Sequence, residues 1–121
     1  MYEIVRNTYT YLWEFEVSPE LVVDFEQHYG PAGPWAQLFS RSPDYIETLL
    51  LKDNAVPGRY LTVDRWRSEE AYLTFKSAFA AQYAQLDNEC EQLTVGERSL
   101  GGFSELPPGD SFKPNTLRGS A

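Results

Sequence analysis

"RYLTVDRWRSEEAYLTF", residues 59–75, changes periodicity partway along. Its first eight residues alternate, with Leu61, Val63 and Arg65 on one face and Tyr60, Thr62, Asp64 and Trp66 on the other, the period of two that marks a strand. Ser68 then stands where an N-cap belongs, and Glu69 and Glu70 fall in the first turn, where the helix dipole favours negative charge. Tyr72, Phe75, Phe79, Tyr83, Leu86 and Cys90 follow at intervals of three, four, four, three and four, which trace one helix face. The stretch predicts a strand that passes directly into a helix reaching Cys90.

Working outward, "YIETLLLKD" is a second β-rich run, joined to residue 59 through Asn54, Ala55, Val56, Pro57 and Gly58 as a hairpin. "TYTYLWEFEV", residues 8–17, alternates strictly, with Tyr9, Tyr11, Trp13, Phe15 and Val17 on one face. Ser18, Pro19 and Glu20 then open a helix carrying Leu21, Val22, Phe25 and Tyr29. Gly30 is expected to close that helix at positive φ, with Pro31 and Pro34 preventing its continuation. "WAQLFSRS" then forms a two-turn helix presenting Trp35, Leu38 and Phe39. A last strand, interrupted by glycines, lies within "LTVGERSLGGF". The order strand, helix, strand, strand, helix, strand predicts an α+β fold of ferredoxin-like βαββαβ type, an antiparallel sheet with two main helices on one face. Residues 1–106 are read as one domain and 107–121 as a C-terminal tail.

A chain of 121 residues supports one core, so one domain carries any chemistry. The net charge of -8 argues against a nucleic-acid groove, which rests on clustered Lys and Arg. Cys90 is the single cysteine, and no Cys or His spacing suggests a metal site. No stretch is apolar enough to cross a membrane, no export signal is visible, and the cytoplasm is the expected compartment. Gly30 to Gly33 lacks the lysine and hydroxyl ending of a phosphate loop and does not follow a strand. Eighteen aromatic residues exceed what a single thin core needs, so the second sheet face is expected to be covered by a second copy in a homodimer.

At residues 59–75 the strand ending in Trp66, followed by Ser68, Glu69 and Glu70 at a helix start, resembles the antibiotic biosynthesis monooxygenase-like family of the dimeric α/β-barrel superfamily. The element order extends the resemblance over about residues 8–103. It implies a homodimer with facing sheets, a pocket between sheet and helices, and cofactor-independent oxygenation of a small aromatic or quinol-type substrate, with no metal or flavin. In oxygenases of that family an asparagine, a tryptophan four residues later and a tyrosine six beyond it are associated with the pocket. Trp66 and Tyr72 match the last two, while Thr62 replaces the asparagine and Leu86 stands where a pocket arginine would align. Haem-degrading relatives use a histidine of the second helix, whereas the one histidine here, His28, is on the first.

Trp66, Tyr72, Asp64 and His28 are thus the candidate catalytic residues, and Thr62, Tyr60, Trp13, Phe75 and Tyr29 the candidate substrate contacts. An indole and a phenol can donate hydrogen bonds to a phenolate, and a desolvated Asp64 can act as base. Each has a plainer reading: Trp66 and Tyr72 as packing, Asp64 paired with Arg65, Arg67 or a partner's arginine at the sheet rim, His28 bonded to a helix carbonyl. The same fold also admits a non-catalytic ligand-binding or structural dimer, or an acid-base isomerase or cyclase.

Overall fold

A computed structural model describes residues 8–106; the proposed 107–121 tail lies outside them. Strands β1 (Thr8–Glu16), β2 (Tyr45–Lys52), β3 (Arg59–Trp66) and β4 (Gly96–Glu105) form one antiparallel sheet in the order β2-β3-β1-β4. Between β1 and β2 lie α1 (Val22–Tyr29) and α2 (Pro34–Phe39); between β3 and β4 lie α3 (Glu69–Ala78) and α4 (Ala80–Cys90). This is the ferredoxin-like α+β arrangement read from the sequence.

The alternation decides which face packs. In β3, Tyr60, Thr62, Asp64 and Trp66 are buried, while Leu61, Val63 and Arg65 are only half-buried. β1 adds Phe15 to the same side, and the helices bring Phe25, Tyr29, Trp35, Phe39, Tyr72 and Phe75 against it. Rings touch at 4.5 Å (Phe25 and Tyr29), 4.9 Å (Phe15 and Tyr29) and 5.1 Å (Trp66 and Phe75). Each such pair adds about 0.5–1.5 kcal/mol beyond its area burial.

Ser68 caps α3 as expected, its hydroxyl accepting from the Ala71 N–H at 3.0 Å. Four local expectations are corrected. The helix from Ser68 does not run unbroken to Cys90: Phe79, at φ -114° and ψ 29°, separates α3 from α4. The interval pattern survives that break in that Phe79 and Tyr83 still pack against the core. Ser18 makes no side-chain cap, and the chain first forms a 3-10 turn at Pro19–Leu21. Gly30 is extended, at φ -77° and ψ 175°, rather than at positive φ. Finally, Asp64 is not paired with Arg65: that arginine bonds Glu47 and Glu105 at 2.6 Å each, and Asp64 is buried on the opposite face.

Gly33 and Gly58 are required for space. A Cβ at Gly33 would lie 2.4 Å from the Gln27 carbonyl oxygen and 2.5 Å from that of His28, so only glycine lets α2 fold back against the end of α1. Gly58, at φ +83°, passes 2.4 Å from the Val17 carbonyl by the same measure and accepts the Val17 N–H at 2.8 Å, tying the hairpin loop to the end of β1.

Among the described residues no helix lies over the opposite sheet face. In cross-strand register it carries Leu49, Val63 and Leu12 in one row and Leu51 and Leu61 in the next, with Phe103 half-exposed nearby. Ion pairs frame this apolar strip: Arg65 with Glu47 and Glu105 at one end, and Arg59 with Glu14 and Asp53, beside Arg98 with Glu14, at the other.

Candidate functional site

The helix-facing side of β3 is not filled evenly. Tyr60 and Trp66 are large, and between them stand Thr62 and Asp64, which are short. Thr48 of β2 is the cross-strand partner of Asp64, and Trp13 of β1 and Leu50 of β2 flank Thr62. The floor at the sheet centre is therefore low and polar. Above it lies a cavity of about 210 Å³, open to solvent on one side.

Trp13 and Phe15 of β1, Tyr29 of α1, and Trp35 and Phe39 of α2 wall this cavity. Thr48, Thr62 and Asp64 form its floor, and Lys76, Tyr83, Asp87 and Glu97 complete it from α3, α4 and β4. Aromatic walls with a few convergent polar groups are the usual composition of a small-molecule site. An apolar cavity of about 150 Å³ suffices for benzene. The volume here accordingly suits a ligand of one or two rings.

Asp64 is the buried carboxylate among the residues that line the cavity. It is 8% exposed, and Thr48 Oγ1 donates to its Oδ1 at 2.7 Å. Burial pushes its carboxyl up to about 6, and the Thr48 hydrogen bond opposes that shift. Lys76 extends over the Tyr83 ring, Nζ 4.8 Å from its centroid, with the Tyr72 ring 5.7 Å away. Burial raises the hydroxyl pKa of Tyr29 and Tyr83 as well, so both remain proton donors. Glu97 is also raised, first by burial and then by the neighbouring Asp87.

The structure gathers some of the sequence-derived residues and separates others. Asp64, Thr62, Trp13 and Tyr29 line the cavity. Trp66 is 0% exposed and packs edge-on against Phe39, Tyr45 and Tyr72, its Nε1 buried without a hydrogen-bond partner. Tyr72 stacks on Tyr11 at 5.2 Å and meets Tyr9 at 5.5 Å, and burial raises its hydroxyl pKa. Phe75 and Tyr60 are buried beside the cavity; Tyr60 donates to Glu26 at 2.5 Å and is pushed up to about 12, chiefly by burial. His28 is away from the cavity, its Nδ1 2.8 Å from the Asp24 carbonyl oxygen of its own helix. None of these five is among the residues that line it.

Sequence reasoning passed over Thr48, Lys76, Trp35, Phe39, Asp87 and Glu97. Trp35 and Phe39 were legible as core residues of a short helix, and Lys76 follows Phe75 immediately, so it lies beside the apolar stripe. Among the described residues no cluster of three or more His, Cys, Asp or Glu side chains is placed to hold a metal. No helix there is long and apolar enough to cross a membrane.

Fold and site together define a ferredoxin-like α+β domain with a small aromatic-walled cavity between sheet and helices. In sequence, no protein-family model and no curated protein matches the chain. In structure it is similar to antibiotic biosynthesis monooxygenase-type proteins. A candidate monooxygenase of this type from Bordetella bronchiseptica superposes with a TM-score of 0.65 at 16% identity, covering 84% of this chain and 100% of that one. Another from Nitrosomonas europaea gives 0.63 at 12% identity, covering 89% and 98%. SnoaB of Streptomyces nogalater, a cofactor-independent oxygenase, gives 0.58 at 17% identity, covering 87% and 99%.

Proposed function

We propose that the cavity binds a phenol or quinol of one or two rings and that Asp64 removes its acidic proton, preparing it for oxygenation without a metal or flavin. The observation that carries this reading is the buried Asp64 on an aromatic-walled floor, ionising near pH 6, where a carboxylate is both available at neutral pH and basic enough to matter. The resemblance in fold to SnoaB supports oxygenation as the following step.

The chemistry is simple to balance. Asp64 takes the proton, and the electron pair it leaves spreads over the ring. Oxygen accepts electrons from that anion; one oxygen atom is kept as a new carbonyl and the other leaves as water, so phenol plus O₂ gives quinone plus water. Lys76 lines the same cavity and supplies positive charge for the phenolate. Thr62 offers a hydroxyl to the substrate oxygen, Trp13 and Tyr29 hold the ring, and aromatic walls exclude water from the anion. Trp66, Tyr72, Phe75 and Tyr60 act behind this surface by fixing the strand and helix that carry it; His28 takes no part.

Oxygen uptake with product analysis across one- and two-ring phenols tests the reading. Wild-type turnover with Asp64→Asn reduced by about 10²–10⁴-fold is expected; no turnover, or an unaffected variant, overturns it. A second reading, acid-base isomerisation or cyclisation, is favoured by Asp64 and Lys76 lining one cavity. It predicts full activity under anaerobic conditions, where the oxygenase reading predicts none.

We also infer that a second copy covers the open sheet face. Leu12, Leu49, Leu51, Leu61, Val63 and Phe103 form an apolar strip framed by ion pairs, a pattern suited to a self-complementary contact. Light scattering at micromolar concentration is expected to give twice 13.9 kDa, and the monomer mass would refute this.

A further inference from the structure

Asp64 has to be a carboxylate again before each turnover, so a proton left on it after a cycle has to reach solvent. We propose that it leaves through a hydrogen-bonded relay from Asp64 through Thr48 to Tyr45, which ends at the β2 edge, away from the substrate's entrance. The proposal rests on Asp64 as the base.

Thr48 Oγ1 donates to Asp64 Oδ1 at 2.7 Å, and the Tyr45 hydroxyl lies 2.6 Å from the same Thr48 oxygen. These two distances fix the polarity. Thr48 has one hydroxyl proton and gives it to the carboxylate, so Tyr45 is the donor to Thr48. With that polarity both hydroxyl protons point toward the carboxylate, so outward transfer follows rotation of the two hydroxyls: protonated Asp64 then donates to Thr48 Oγ1, Thr48 gives its own proton to the Tyr45 oxygen, and Tyr45 releases its own to water. Each hydroxyl gains one proton and loses one, and only the carboxyl changes charge.

A local irregularity in the sheet builds the relay. Residues three apart on a regular strand point to opposite faces, so Tyr45 and Thr48 should not meet. In β2 the register slips: Tyr45 pairs with Trp66 and Glu47 with Arg65, so Ile46 is an extra residue opposite a single step of β3. This bulge turns Tyr45 onto the helix-facing side with Thr48, and bulges commonly re-aim side chains beside active sites. Thr48 is in turn the direct cross-strand partner of Asp64.

The two ends of the chain of bonds open to different places. Thr48 and Asp64 line the cavity, whereas Tyr45, half-buried, borders with Thr48 a separate surface depression along β2 that includes Pro31, Glu47 and Leu49. Other polar groups around Asp64 are Tyr11 opposite it on β1, Tyr72 and Lys76 from α3, and Tyr83 from α4. Tyr11 is engaged with Ser99 at 2.6 Å. Thr48 is therefore a positioning residue for Asp64, and Tyr45 the outlet.

Carbon-13 NMR of the Asp64 carboxyl and the Tyr45 ring carbon bearing oxygen tests the relay without turnover. The Tyr45 signal is expected to move with the Asp64 titration in wild type and in Thr48→Ser, and to lose that dependence in Thr48→Val, where the Asp64 pKa rises. A Tyr45 signal indifferent to Asp64 in wild type overturns the relay. Turnover of 1-naphthol supplies the second arm: Tyr45→Phe, which keeps the Thr48 bond to Asp64, is expected to lower kcat by at least about tenfold with KM unchanged, short of the loss expected for the base itself. An unchanged kcat in Tyr45→Phe overturns the outlet even if the signals are coupled. Coupled signals with no wild-type turnover of any phenol instead count against Asp64 as an oxygenase base and leave the hydrogen-bonded chain standing.

Discussion

Trp66 and Asp64 stand two residues apart on the same face of β3, and their surroundings differ completely. Around Trp66, Phe39, Tyr45, Tyr72 and Phe75 come within 5.1–5.5 Å and leave no space. Around Asp64 and Thr62 the side chains are short, and a cavity remains. One end of the strand is spent on packing and the other on a polar group held in an apolar box. Packing and the proposed chemistry are thus separated along a few ångströms of one strand, and the residues most conspicuous in the sequence belong to the packed end.

Substitutions can break this comparison. Trp66→Ala is expected to have the largest effect, a loss of about 3–5 kcal/mol in chemical denaturation, because a ring packed on all sides leaves a void. A loss under about 1 kcal/mol would mean the packed end is not packed. At the other end the sign reverses. The folded-state pKa of Asp64, about 6, lies above its ordinary 3.8, so the folded chain holds this proton more tightly than the unfolded one. Asp64 therefore costs nothing below about pH 4, costs progressively more between about pH 4 and 6, and a constant amount above, near 3 kcal/mol for about two pKa units. Asp64→Asn is expected to stabilise the protein by up to that amount at pH 8 and by little at pH 4, as measured by denaturation at both.

Smaller changes sharpen the contrast. Thr62→Leu fills part of the cavity floor and is expected to weaken binding of 1-naphthol by about tenfold in calorimetry, while stability shifts by less than about 1.5 kcal/mol. Tyr72→Phe removes one hydroxyl from a stacked ring and is expected to change stability by no more than about 1 kcal/mol. An effect of Tyr72→Phe on turnover larger than that of Thr62→Leu would move the site toward the packed end.

The sequence exposes the fold through alternation in residues 8–17 and 59–66 and through the Ser68 cap, because these depend on neighbours along the chain. The break at Phe79 was hidden, since a stripe at three and four spacing looks the same whether one helix or two carry it. The extended Gly30 was hidden for a related reason: a glycine-proline pair ends a helix whichever φ the glycine adopts. Within the site, Asp64 and Thr62 could be placed on the right face, but flanking Arg65 and Arg67 suggested an ion pair, and only the buried side of the sheet excludes that for Arg65. Thr48 was out of reach because the Ile46 bulge shifts the register, and no local pattern in "YIETLLLKD" announces a bulge.

The claim that substrate ionises at Asp64 is tested most directly by the pH dependence of kcat/KM for phenol oxygenation in wild type, Asp64→Asn and His28→Gln. An imidazole is the side chain whose charge ordinarily changes in this pH range, so His28→Gln is the necessary control. The account predicts a wild-type rate that rises through about pH 6, a limb that persists in His28→Gln, and its disappearance in Asp64→Asn. A limb that survives in Asp64→Asn and vanishes in His28→Gln would contradict it.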